Sequence, residues 1–249
     1  MKPGAIRVGI GGWTYEPWRG VFYPAGLPHK RELEFAAQHV SAIEINATYY
    51  GRQKAESWRN WGETAPEGFK FSLKASRFST ARKVLAESGD SVRIFLGQGF
   101  TELGDKLGPI VWQFAATKQF DRDDLARFLD LIPDEQDGLA LRHVLEPRHE
   151  SFRDAAFYAL ARERNFAIAY ADSDEFPCLD EATADFAYAR LQRTEHDLPA
   201  GYDDAALDGW AVKARNWAKY GRDVFVFVIA GAKVQNPAAA MALIERLER

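Results

Sequence analysis

One cysteine, two methionines, few histidines and no long apolar run bound this 249-residue chain before anything else does. A lone Cys178 cannot build a disulfide framework, and a single thiol fits a reducing compartment. The longest apolar run, Val224 to Ala232, is far short of the roughly 18–20 residues that cross a bilayer. The opening MKPGAIRVGI lacks the basic stretch, apolar stretch and small-residue cleavage site of a secretory leader. A cytoplasmic protein with no membrane partner is expected. Excess charge is also missing: 32 Lys and Arg stand against 36 Asp and Glu, a formal charge of −4. Bulk electrostatic capture of nucleic acid is not expected from that balance, although a local basic face stays open. The five histidines (His29, His39, His143, His149, His196) contain no i, i+4 pair of the kind that grips zinc from one helix face. No G-x-S-x-G, H-E-x-x-H or P-loop pattern occurs. Cys178 has no evident activating partner, which favours an inert thiol.

Linkers are absent too, since there is no Ser/Gly tract, charge block or low-complexity stretch. The reading is one domain over residues 1–249. What the chain does contain is a recurring β-rich run: Arg7–Ile10, Ala42–Ala47, Phe69–Lys74, Ile110–Phe114, Gly138–Glu146, Ala167–Ala171, Phe186–Leu191 and Val224–Ile229. Helical periodicity fills most gaps. Helices are predicted over Asp121–Leu131, over Leu207–Tyr220 with Gly221 closing it, and over Pro237–Leu247 with Asn236 as N-cap. A short, weak helix is expected around Asp180–Ala184. Eight strands alternating with helices in about 250 residues is the arithmetic of an α/β (βα)₈ TIM-type barrel, with an open doubly wound sheet as the alternative.

Ligand sites in such barrels lie at the C-terminal strand ends, so inward polar residues there carry the information. Period-two alternation turns Glu44, Asn46 and Thr48 inward from the second strand, and Ser72 and Lys74 from the third. The fourth offers Gln113, the fifth Arg142, Glu146 and Arg148, the sixth Asp172, and the seventh Arg190 and Gln192. Three carboxylates (Glu44, Glu146, Asp172) and three cations (Lys74, Arg148, Arg190) then converge from six strands. Such a layer is either a charge-balanced network that fills the mouth or a pocket whose groups hold an anion and move protons. The loop GGWTYEPWRGVFYP at 11–24 brings Trp13 and Tyr15 near that mouth, as cleft wall or as apolar plug. The GIGG stretch at 9–12 is not a dinucleotide fingerprint, because Thr14 stands where a third glycine belongs. Neither nicotinamide nor flavin is expected. His149, just after Glu146 and Arg148, is the one histidine placed to act as ligand or acid/base partner.

Several blocks together resemble the YecE-like family, also known as domain of unknown function 72. They are IRVGIGGWTYEPWRGVFYP at the start, EINATYY at 44–50, PEGFKFSLKA at 66–75, LGPIVWQF at 107–114, LEPRHESF at 145–152 and YARL at 188–191. The resemblance spans nearly the whole chain and implies a (βα)₈ barrel, but no activity. Onto its motifs it carries Glu44, Asn46, Lys74, Gln113, Glu146, Arg148, His149, Asp172 and Arg190. It also marks departures: Ala81 after Thr80, Gln192-Arg193 after the seventh-strand arginine, and Ile229-Ala230-Gly231 after the last strand replace residues usual in the family. A step that relatives perform with those residues would be altered here.

Three functions fit these residues. The first is an enzyme using acid–base chemistry on a small polar or anionic substrate, with Glu146 as base, Glu44 or Asp172 assisting, and Lys74, Arg148 and Arg190 gripping the anion. Asn46, Gln113, Trp13 and Tyr15 complete its binding set. The second is a metal-dependent phosphodiester hydrolase or nucleic-acid-binding barrel, with a divalent ion on Glu44, Glu146, His149 and Asp172. The third is a non-catalytic barrel that binds a ligand or a partner, since the barrel fold hosts unrelated roles.

Overall fold

The computed structural model describes residues 2–249. Eight strand positions follow along the chain: β1 (Ile6–Gly11), β2 (Ala42–Ile45), β3 (Lys70–Lys74), β4 (Leu107–Gln113), β5 (His143–Glu146), β6 (Ala167–Ile168 with Tyr170–Asp172), β7 (Phe186–Leu191) and β8 (Asp223–Val228). All pair in parallel with their sequence neighbours, and β1 pairs with β8. That last pairing joins the ends and corrects the open-sheet alternative. The ring closes through β6, whose first half bonds β5 and whose second half bonds β7, the ladder changing partner at Ala169.

Among the described residues seven helices of eight residues or more cover the ring: α1 (Glu32–His39), α2 (Ala55–Thr64), α3 (Gly89–Leu96), α4 (Arg122–Leu129), α5 (Ala155–Glu163), α6 (Asp204–Trp217) and α7 (Asn236–Glu248). Their starts follow from side-chain caps. Asp121, Asp154 and Asp203 accept the Asp124, Ala156 and Ala206 amides at 2.9, 2.7 and 2.7 Å, satisfying donors that the first turn leaves free. Asn236 is not a cap: it lies inside α7 and its Oδ1 accepts the Thr194 hydroxyl at 2.9 Å. The helix expected at Asp180–Ala184 does not form, and that stretch runs irregularly to Thr183, whose hydroxyl donates to the Phe166 carbonyl at 2.7 Å. The run Gly138–Glu146 is also divided. Asp137 and Gly138, at φ 51° and 80°, turn a two-residue hairpin between Glu135–Gln136 and Leu139–Ala140, and only His143–Glu146 enters the ring.

Two apolar layers result. The larger lies between strands and helices and includes Ile43, Phe71, Leu73, Trp112, Leu145 and Leu191. The smaller fills the barrel with Val111, Val144, Tyr188, Phe225 and Phe227 beside Ala42, Ala167 and Ala169. Large residues on β7 and β8 face small ones on β2 and β6, which is how a closed ring interdigitates. Gly9 is fixed by this closure, because a Cβ there would collide with the Ala42 carbonyl across the β1–β2 pair. No helix among the described residues is long and apolar enough to cross a membrane.

Candidate functional site

Above the apolar interior, at the C-terminal mouth, the register sets polar side chains at one level. Glu44 pairs with Gly11 and Ser72, Gln113 with Glu146, and Arg190 with Phe227, so these side chains share the inner face. Arg190 stands in the middle. Its Nε and Nη2 donate to Glu44 at 3.1 and 3.0 Å, and its Nη1 donates to both Glu146 oxygens at 2.7 and 2.6 Å. The remaining lone pairs are also used. Tyr188 Oη donates to Glu44 at 2.7 Å, Gln113 Nε2 to Glu146 at 2.9 Å, and Arg148 approaches Glu146 at 3.3 Å. Glu44, Glu146 and Arg190 are all buried, and a buried carboxylate endures only when paired in this way. Burial works against ionisation of Glu146, yet Arg190, then Arg148 and the Gln113 amide, hold its carboxyl below the usual range. Burial likewise opposes the Arg190 charge, and Glu146 and Glu44 more than offset it, keeping the guanidinium protonated.

Over this layer opens a pocket of about 610 Å³. Its charged lining is Lys74, Arg148, Arg190 and Lys233, with no carboxylate among them. Arg148 lies 4.1 Å from the Phe176 ring while reaching Glu146 beneath it at 3.3 Å, and Lys233 lies 4.1 Å from the Tyr15 ring, so Lys233 is held by an aromatic face and Arg148 by a ring and an acid together. The apolar side of the pocket is Trp13, Trp61 and Tyr50, with Trp13 packed edge-on against Trp61 at 5.0 Å. Lys74 differs from the others. Its Nζ sits 4.1 Å from the Tyr49 ring and has neither a hydrogen bond nor an ion pair among the described residues. Burial first, then Arg190, push its ammonium down to about 8, against the pull of Glu44 and Glu146.

The sequence-predicted residues divide accordingly. Lys74, Arg148, Arg190, Asn46 and Trp13 line the pocket; Glu44, Glu146 and Gln113 lie just beneath it. Tyr15 stands behind Lys233 instead of in the wall. His149 caps the one-turn helix Glu150–Phe152, its Nδ1 accepting the Ser151 amide at 3.1 Å, and is not part of the pocket. Asp172 does not turn inward. It is in register with Leu191, on the outer face, and is bound by Arg193 Nε at 2.7 Å and by Tyr202 Oη at 3.1 Å. Arg142 sits at the opposite end of the barrel, on Asp223 at 2.7 Å. The four metal candidates Glu44, Glu146, His149 and Asp172 therefore do not converge, and no group of three His, Cys, Asp or Glu side chains fit to hold a metal exists among the described residues. Of the replaced family positions, Gln192 and Ala230 line the pocket and Ala81 is exposed away from it. A second cavity of about 920 Å³ lies beyond Gln192 and Ala230, which line both. Lys233, Trp61 and Tyr50 escaped the sequence reading because they come from a loop and from helical segments, which strand parity does not rank.

Comparisons with known proteins agree with this architecture. A family model described as protein of unknown function DUF72 matches residues 7–249. The comparison with curated proteins gives no match. Among solved structures, a DUF72 family protein from Thermotoga maritima MSB8 is similar at 22% identity over 98% of this chain and 100% of its own, with a TM-score of 0.78. A DUF72 family protein from Enterococcus faecalis V583 is 18% identical over 99% and 98%, with a TM-score of 0.73. D-psicose 3-epimerase from Clostridium cellulolyticum H10 is 11% identical over 97% and 96%, with a TM-score of 0.52. At such identities these structures speak for the barrel alone.

Proposed function

This chain belongs to the family of proteins of unknown function DUF72, and from the chemistry of its own barrel mouth we propose that it is an enzyme that binds a small anionic substrate and moves a proton with Lys74. The observation that carries the reading is the lining of the 610 Å³ pocket, four cations without a carboxylate, one of them an unpaired amine pushed to about 8. Arg148 and Lys233, steadied on aromatic rings, take the carboxylate or phosphate group of the substrate. Trp13 and Trp61 wall the cleft and exclude water from one side.

The base is Lys74 instead of Glu146. A carboxylate held below its usual range by two guanidiniums is a weak base at neutral pH, and Arg190 covers it. An amine near 8 is about one quarter neutral at pH 7.5, close to the optimum for taking a proton and returning it. Glu44 and Glu146 act through Arg190, which they fix between them and whose charge in turn keeps Lys74 deprotonatable. The non-catalytic alternative shares this pocket and parts from the enzyme at Lys74 alone.

The test has two stages. Tryptophan fluorescence of Trp13 and Trp61 reports binding of a panel of carboxylates, phosphate esters and their neutral analogues. Anions bind and neutral analogues do not; Arg148→Met weakens binding roughly 10-fold or more, as loss of a charge-assisted hydrogen bond implies. For each bound compound with an acidic C–H, proton NMR in D₂O follows deuterium uptake. Wild type exchanges it and Lys74→Met does not. Equal binding of neutral analogues, or exchange undiminished in Lys74→Met, contradicts the proposal.

A further inference from the structure

The opposite, N-terminal mouth carries charge that the function above does not use. Three cations turn into it from three strands or their edges: Arg7 on β1, Lys70 at the start of β3, and Arg142 just before β5. They line a cavity of about 310 Å³ with Asp105, Asp223 and Phe225. Asp223 is already committed, one oxygen accepting Arg142 Nη1 at 2.7 Å and the other the Ala5 amide at 3.1 Å. Neither Arg7 nor Lys70 has a carboxylate within 4.0 Å among the described residues. Lys70 Nζ donates to the Asp105 main-chain carbonyl, and Arg7 lies over the Phe225 ring at 5.7 Å with its Nη1 left without any acceptor. Three cations around one cavity meet two carboxylates, Asp223 already bound to Arg142 and Asp105 more than 4.0 Å from Lys70, so one positive charge is left in excess. A bound anion is the simplest way to relieve it.

We propose that this floor of the barrel is a second anion site, taking one small tetrahedral oxyanion such as inorganic phosphate between Arg7, Lys70 and Arg142. Burial pushes both Arg7 and Lys70 below their usual ranges, with Arg142 adding to it at Arg7, and Arg7 and Arg142 at Lys70, against the pull of Asp223 on both and of Asp105 on Lys70; a bound anion acts in the opposite direction. The site stands on the far side of the apolar interior from Lys74, with Phe225, Phe227 and Tyr188 stacked between the two mouths. Occupancy of one mouth is therefore separable from the other.

Equilibrium binding of radiolabelled inorganic phosphate at fixed ionic strength tests it, in wild type, Arg7→Met, Lys70→Met and the double variant Arg148→Met with Lys233→Met, which removes the anion grip of the C-terminal mouth. The double variant at Arg148 and Lys233 retains the floor phosphate, whereas Arg7→Met and Lys70→Met each weaken that binding by roughly 10- to 100-fold, as expected for one charge-assisted contact. Lys70 lies at the rim and keeps its aliphatic stem as Met, so it decides the matter should Arg7→Met fold poorly. Floor binding in Lys70→Met equal to wild type, no phosphate bound by the double variant at Arg148 and Lys233, or displacement by chloride at equal concentration each overturns the floor site. Loss of binding in the double variant at Arg148 and Lys233 with intact wild-type binding would leave the C-terminal pocket standing, and the reverse pattern would leave the floor standing alone.

Discussion

Replacing Arg190 with Met removes the one cation that two buried carboxylates share. Glu44 and Glu146 keep the Tyr188 hydroxyl and the Gln113 amide as donors, and Arg148 reaches Glu146 from the rim, but the bidentate contacts at 2.6–3.1 Å are gone. Breaking a buried ion pair from one side costs about 3–5 kcal/mol. In a chain of this length that is a fall in Tm of roughly 6–20 °C. The pH dependence carries the sharper information. In wild type the Glu146 carboxyl is held below its unfolded value, so its contribution is present above about 4.3 and lost as pH falls through the lower folded value. Between pH 5 and 8 the wild-type contribution of Glu146 is therefore flat. In Arg190→Met the buried Glu146 loses its strongest counter-charge, keeping only Arg148 at the rim and the Gln113 amide, so burial dominates and the carboxyl binds a proton more tightly folded than unfolded. Stability of the variant then rises as pH is lowered from 8 to 5, by the linkage relation. Thermal unfolding by circular dichroism at pH 5, 6, 7 and 8 reads both effects. Adding Glu44→Gln and Glu146→Gln to the variant flattens its profile again. A loss below about 1 kcal/mol, or a variant profile parallel to wild type over this range, refutes the reasoning.

Other outcomes follow from the same coordinates. Lys74→Met stabilises the protein at pH 7, because the folded state holds this amine near 8 against an ordinary 10.5, a difference of up to about 3 kcal/mol that chemical denaturation at pH 7 measures. The gain shrinks as pH rises from about 8 through 10.5 and vanishes above about pH 11.5, where the amine is neutral in both states; a loss of stability at pH 7 contradicts the environment described. Gly9→Ala drives a methyl group into the Ala42 carbonyl and costs about 3 kcal/mol or more, read as a fall in denaturation midpoint or in soluble yield. His149→Ala loses a short-helix cap and costs about 1 kcal/mol while leaving anion binding at the mouth unchanged, which fluorescence titration checks.

Much of the barrel was legible because alternation and turn chemistry are local. Glu44, Ser72, Lys74, Gln113, Glu146 and Arg190 follow from strand parity, and their neighbours in register agree. Asp172 was misplaced although the parity was written beside it: in Ala-Ile-Ala-Tyr-Ala-Asp the large residues Ile168 and Tyr170 share its face, and the alanines face the crowded interior next to Tyr188 and Arg190. The fifth run was overextended past an Asp-Gly pair that is itself a hairpin signal. The helix at Asp180–Ala184 failed because so short a segment has no cap and Thr183 binds elsewhere. What no local rule supplies is partnership. That Arg190 pairs with both glutamates while Lys74 is left without an ion pair depends on strands meeting across the ring. The choice of Glu146 as base rested on residue type and lacked that information.

The central claim is that Lys74 is an amine poised to exchange its proton near neutral pH. Nitrogen NMR of ¹⁵N-labelled lysine side chains, assigned by comparison with Lys74→Met, measures it directly over pH 6–11. The Lys74 resonance is expected to titrate near 8, well below the ordinary lysine value of about 10.4. A Lys74 midpoint above 10 would leave the pocket as a cationic cradle without a base and would contradict the account.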